Sequence, residues 1–220
     1  MQNLTTTTTK NSINSIKLPA YLDWLQMFSG VILILFMWAH LCLVSSVIIS
    51  PSIMNAIANF FEETGLVYVC GPGILLILFL HFILASRKIP WTTKQQTAMW
   101  ANAKRMHHKD TWLWMIQVGT AMVILIMGAT HIWVVLTDLP ITATKSAMRI
   151  QSGTWFVFYL ILLPLVELHV GIGFYRIMIK WGFLSRTNRK GFHAKENILT
   201  IIMITIGLIT LMRFMLLPIN

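Results

Sequence analysis

Charge is scarce in this chain, and negative charge most of all. Asp, Glu, Lys and Arg together make up 11% of 220 residues, and only seven of them are acids against seventeen Lys and Arg. A soluble globular domain carries about 25%, so a soluble enzyme is excluded. Cysteine is nearly missing as well. Cys42 and Cys70 are too few for a disulfide framework or a cysteine-rich metal centre, and neither begins the C-x-x-C-H pattern of covalent haem attachment. The opening MQNLTTTTTKNSINSIK is polar and Thr-rich, and little room for disorder is left beyond it. The apolar run behind that tail is far too long for a signal peptide, and no small-residue cleavage motif follows it. No repeat of fixed period is visible.

What the chain has is apolar length. Hydrophobic residues make up 56% of it, and five runs reach the roughly 20 residues that a helix needs to cross the hydrocarbon core. They lie at about 21–50, 66–86, 111–136, 153–180 and 197–217. Pro51 opens an interfacial turn or short helix, Arg87-Lys88-Ile89-Pro90 stops the second run, 138–149 is polar and 185–195 is a basic loop. The expected architecture is an all-α integral membrane protein: a polar cytoplasmic tail over 1–20 and a single five-helix domain over 21–220. The net charge of +10 is therefore read against a membrane, with nucleic acid left aside as a partner. Basic residues beside a span resist translocation. With the N-terminus inside, only Lys145, Arg149 and Arg213 fall outside, and the other fourteen Lys and Arg fall inside. The C-terminus is then outside, Trp91, Trp112, Trp114 and Trp181 mark the inner boundary, and Trp155 marks the outer one.

The informative residues are histidines. Four of the seven, His40, His81, His131 and His169, lie inside the first four spans, one in each, where a polar group is costly and normally functional. At about 1.5 Å per residue, His40 and His131 lie roughly 8–14 Å below the outer surface, and His81 and His169 roughly 9–11 Å above the inner one. The four thus sort into two pairs at two depths, each pair supplied by two parallel helices. Two imidazoles facing one another across a bundle are what bis-histidine ligation of a haem iron requires.

Each of these features also has a plainer origin. A membrane histidine can be a hydrogen-bonded packing residue, and a proton relay or transporter also uses buried His and Glu, although neither gives a reason for two layers of two. Most of the fourteen Met read as core filler. His107, His108 and His193 fall in inner loops, with a solvated or structural role. Gly30, Gly119, Gly128, Gly171 and Gly173 thin the helices near the proposed planes, which close helix packing explains equally well.

Several strings carry a resemblance. LDWLQ (22–26), DTWLWMIQ (110–117), VELHVGIGFYRIMIKWGF (166–183) and the four histidines together resemble the dihaem cytochrome b anchor subunits of fumarate reductases and succinate:menaquinone oxidoreductases, over nearly the whole chain. The resemblance implies four helices bundled around two stacked b haems, the inner one ligated by His81 and His169 and the outer one by His40 and His131. It places Gln26, Trp114 and Lys180 at the inner haem propionates and Arg149 beside the outer haem. Met27 departs from the small polar residue usual after that Gln. Glu62, with Glu63 beside it as the alternative, matches the quinol-site carboxylate, and Glu167 matches a membrane glutamate.

Those matches imply a subunit of a bacterial cytoplasmic membrane that oxidises menaquinol near the outer face. Electrons would pass to an iron–sulfur subunit and a flavoprotein with FAD on the cytoplasmic face, the whole assembling as a dimer of heterotrimers. The same parts can run from succinate to menaquinone. The cytochrome b anchor of a hydrogenase or formate dehydrogenase, and a haem-free anchor or transporter, compete with this assignment. Menaquinol must also shed two protons, which a carboxylate at the membrane edge can accept, and Glu167 is placed to carry a proton beside each electron.

Overall fold

Helices that meet lipid on one side and one another on the other are apolar all round. The long helices accordingly turn Leu35, Ile83, Ile126, Val157 and Ile201 outward, each more than half exposed. The computed structural model describes residues 2–219, with side chains from Lys17 onward. Among the described residues there are eight α-helices and no strand: α1 (Gln2–Ser45), continued by a 3-10 turn (Ser46–Ile48), α2 (Pro51–Glu63), α3 (Leu66–Ser86), α4 (Thr93–Met106), α5 (Lys109–Leu136), α6 (Ala143–Gln151), α7 (Thr154–Lys180) and α8 (Arg189–Met215). Among the described residues, five segments are long and apolar enough to cross a membrane, Lys17–Ile48, Leu66–Ser86, Lys109–Leu136, Thr154–Lys180 and Arg189–Met215, matching the five expected runs. The expected polar tail over 1–20 falls mostly on residues whose side chains lie outside the described set.

The departures lie in the connections. The segment expected as a basic loop at 185–195 is largely helical, because α8 starts at Arg189 behind Asn188. Hydropathy marks where a helix meets lipid, whereas Arg, Lys and Ala continue a helix readily into water. Two short helices also lie in the polar stretches. α4 begins with a capping box in which the Thr92 side chain accepts from the Gln95 backbone and Gln95 reaches back to Thr92. In α6, the Thr142 hydroxyl accepts from Lys145 N. The expected interfacial element at Pro51 is α2, with Ser50 as its N-cap and Pro51 in its first turn.

α1 packs on α3, α3 on α5, α5 on α7 and α7 on α1, closing a ring of four helices, while α8 lies outside it against α7 and α1. The spans that carry His40, His81, His131 and His169 are the four in the ring, whereas α8 carries only His193, near its start. Close approach of α8 to α7 depends on small residues. A Cβ at Gly207 would sit 2.5 Å from Leu163 Cδ1, and one at Gly171 would collide with the Glu196 carboxylate. Gly171 therefore serves helix packing, and Gly119 faces open space, so of the five glycines expected near the haem planes only Gly30, Gly128 and Gly173 border the ring's interior. One end of the ring is plugged by Val47, Met54, Ala143, Ala147, Ile150, Leu211 and Phe214. There Gln151 Nε2 donates to the carbonyls of Phe214 (2.9 Å) and Leu217 (2.8 Å), satisfying acceptors that the end of α8 leaves open.

Candidate functional site

The ring encloses a cavity of about 760 Å³ lined mainly by apolar side chains, and His40, His81, His131 and His169 all border it. Two of them hang on the same device. His81 Nδ1 lies 2.9 Å from Ser29 Oγ and 3.1 Å from the Gln26 carbonyl on α1. His169 Nδ1 lies 3.1 Å from Thr120 Oγ1 and 3.1 Å from the Gln117 carbonyl on α5. A carbonyl only accepts, so Nδ1 carries the proton in both rings and the Nε2 lone pair is left free. The other pair is arranged differently. The His40 and His131 rings face each other at 6.0 Å, His131 Nδ1 meets the Tyr159 hydroxyl at 3.0 Å, and His40 stacks on Phe36 at 5.5 Å.

The levels of the two pairs follow from register. His81 is level with Ser29 and His169 with Thr120. His40 lies eleven residues beyond Ser29 on α1, and His131 eleven beyond Thr120 on α5, or roughly 16 Å along each helix. Among the described residues no three His, Cys, Asp or Glu converge on a metal position. Paired imidazoles suit instead an ion whose remaining positions are filled by a flat macrocycle.

The cavity's ends are polar in different ways. Lys88, Arg176 and Lys180 border one, here called the basic end, with Gln26 and Trp114. Lys88 and Lys180 reach Asp23 at 2.9 and 3.2 Å, Arg176 donates to Gln117 Oε1 at 2.5 Å, and Gln26 Oε1 is buried without a partner. At the other, the α6 end, Arg149 is paired with Asp138 at 2.6 Å. Lys145, hydrogen-bonded to Asp138, and Arg149 beside it hold the Asp138 carboxyl below the usual range. Fixed cations at both ends of an apolar cavity suit an apolar ring with acidic substituents at its edge.

A family model described as succinate dehydrogenase/fumarate reductase transmembrane subunit matches residues 93–210. The chain belongs to this family. The fumarate reductase cytochrome b subunit of Helicobacter pylori is 38% identical over 200 residues, 87% of this chain and 78% of that protein. The protein of the same description from Wolinella succinogenes is 30% identical over 207 residues, 88% of this chain and 81% of its own length.

In this transmembrane subunit Gln26, Trp114 and Lys180 meet at the basic end and Arg149 at the α6 end, so the residues expected beside a cofactor do border one space. Glu167 borders it too, at 1% exposure and with Oε1 lacking a partner. A gap of about 10 Å³, the size of one water, lies between it and Glu196 and Thr200 of α8. Glu62 is not in the lining. Its Oε1 accepts from the backbone N of Ile141 at 2.5 Å, tying the end of α2 to the loop before α6, while Glu63 is exposed. Sequence reasoning missed Ser29, Gln117, Thr120, Tyr159, Lys88 and Arg176. The available signal was a shared spacing, Gln-x-x-Ser at 26–29 and Gln-x-x-Thr at 117–120, each on the span preceding a histidine-bearing one.

Proposed function

We propose that this transmembrane subunit carries electrons from menaquinol to a soluble iron–sulfur subunit through two b-type haems, for fumarate reduction on a flavoprotein that holds FAD. The basic end would face the cytoplasm and the α6 end the outside of a bacterial cytoplasmic membrane. His81 and His169 would ligate the inner haem, His40 and His131 the outer one. Each haem, when bound, supplies one-electron redox chemistry at its iron. The observation that carries the reading is the set of four imidazoles bordering one cavity, two at each of two levels, with no cluster of three His, Cys, Asp or Glu around either pair among the described residues. With the family established, the hydrogenase or formate dehydrogenase anchor and the transporter fall away.

The remaining roles follow from position. Gln26, Trp114, Lys88, Arg176 and Lys180 would bind the acidic edge of the inner haem, and Arg149 that of the outer one. The apolar walls keep water from both irons. Glu62 sits beside the α6 end, where an outer quinol would arrive, and a carboxylate there can take a proton from it and release it to water. Electrons moving inward against a potential negative inside cost about 2.3 kcal/mol per charge per 100 mV, or ~4.6 for the two from one quinol. A proton travelling with each electron cancels that cost, and Glu167, with one carboxyl oxygen unpartnered, is the group placed to carry it.

The test is a haem count and a reduced-minus-oxidised spectrum of the purified complex, with succinate and a menaquinol analogue as alternative reductants. Two low-spin b-type haems per chain, both reduced by the quinol, are expected. One haem or none would overturn the proposal, and exclusive reduction by succinate would reverse its direction.

A further inference from the structure

We infer that Ser29 and Thr120 are positioning residues for the haem at the basic end, fixing both of its axial imidazoles in one tautomer and lowering its potential; this rests on the dihaem reading above. Each hydroxyl is itself held by its own helix. Ser29 Oγ donates to the Gln26 carbonyl at 3.0 Å, and Thr120 Oγ1 donates to the Ile116 carbonyl at 2.9 Å, with the Gln117 carbonyl 3.1 Å away. A hydroxyl whose proton is spent on a carbonyl offers only its lone pairs to the ring across from it. Both imidazoles must therefore donate through Nδ1. The opposite tautomer would set the Nδ1 lone pair against a carbonyl oxygen at 3.1 Å on either side, in a place where water cannot relieve it.

The bonds in each chain run one way, from imidazole N–H to hydroxyl to carbonyl, and bonds aligned in that manner polarise one another. A ring that donates its second N–H is a more basic ligand through Nε2. Stronger donation favours the ferric over the ferrous iron, and so lowers the potential. The spacing of three residues is what makes the device possible, since a side chain and the carbonyl three residues before it share one face of a helix. At His81 a third residue contributes. A Cβ at Gly30 would stand 3.1 Å from His81 Cε1, so glycine next to Ser29 admits the ring edge to α1. The other pair lacks the device: Tyr159 hydroxyl can donate or accept toward His131, and among the described residues the His40 ring has a stacking contact with Phe36 rather than a hydrogen bond.

Redox titration of the intact complex, following the two haem bands, tests this with Ser29→Ala, Thr120→Val and their combination, and with the hydroxyl-retaining Ser29→Thr and Thr120→Ser. Loss of signal in His81→Ala identifies the band of the basic-end haem. That haem's potential should rise in each hydroxyl-free variant and rise further in the double one. The g values of its low-spin ferric signal, which report the imidazole planes, should shift too. The hydroxyl-retaining variants should stay at the wild-type potential, and the other haem should not move. An unmoved basic-end potential, a shift in the other haem instead, or an equal shift in the hydroxyl-retaining variants would overturn the assignment. If a hydroxyl-free variant loses the haem, the hydroxyl-retaining pair decides, because an altered potential there is incompatible with it. A wild type without haem refutes the dihaem reading itself, and is seen before any variant is made.

Discussion

The two ends of the cavity hold the same pair of side chains in opposite ways. At the basic end each imidazole is tied to the backbone of a neighbouring helix, and three cations stand at the rim. At the α6 end the rings face each other at 6.0 Å, supported by a phenol and a phenyl ring, with one paired arginine beside them. The difference teaches that a histidine pair does not define a redox site by itself. Its partners decide how firmly each ring is aimed and how basic it is.

The sharpest way to break the comparison is to remove ligands from one end at a time. His81→Ala or His169→Ala should lose the basic-end haem and keep the other, and His40→Ala or His131→Ala should do the reverse, measured as haem per protein. A full complement in any of the four would end the assignment. Glu62→Gln comes next, and the structure makes it clean, since an amide oxygen can still accept from Ile141 N while the charge is gone. Quinol-driven fumarate reduction should fall at least tenfold with dye-driven reduction spared. Glu62→Ala should in addition cost about 1–3 kcal/mol of stability for the unsatisfied backbone donor, read from thermal unfolding. Equal quinol activity in wild type and Gln variant would move the proton acceptor elsewhere.

Glu167→Gln should leave both haems and dye-linked turnover in place and stop the quinol-linked reaction. In vesicles the wild type should build no potential while turning over; a potential, or normal turnover in the variant, removes Glu167 from the proposal. The smallest effect belongs to Asp138. Its carboxyl is held below the usual range by Lys145 and Arg149, so any stability it lends is present above the ordinary carboxylate value of about 3.9 and is lost as pH falls through its lowered value. The difference in unfolding temperature between wild type and Asp138→Asn should therefore be slight at neutral pH and vanish in strong acid. A difference that grows with acidity would contradict that sign.

Legibility followed the range of the forces involved. The spans at 66–86 and 111–136 were readable to within two residues of α3 and α5, because an unbroken apolar run has no other stable home. The two-level arrangement of His40, His81, His131 and His169 was readable because depth is counted along a helix of known rise. α4 and α6 went unseen because hydropathy says nothing about short polar helices, although Thr92–Gln95 and Thr142 carried capping signals. Ser29 and Thr120 were invisible as partners. Serine and threonine in a membrane helix usually bond back to their own turn, as both also do here.

By itself, the sequence determined five apolar runs long enough to cross a membrane and, on four of them, His40, His81, His131 and His169 at two levels, with cations crowded towards one side. Those are sums along the chain, and burial of apolar length and the cost of moving charge act on sums. Only the tertiary structure decided that α1, α3, α5 and α7 close a ring with α8 outside, that Glu62 grips a backbone amide, and that Gln26, Ser29, Gln117 and Thr120 aim two of the rings. Each of these depends on how a helix is rotated and slid against its neighbour. A helix that is apolar all round has no polar face to set that rotation, so it was left to small residues such as Gly30 and Gly207 and to hydrogen bonds between helices.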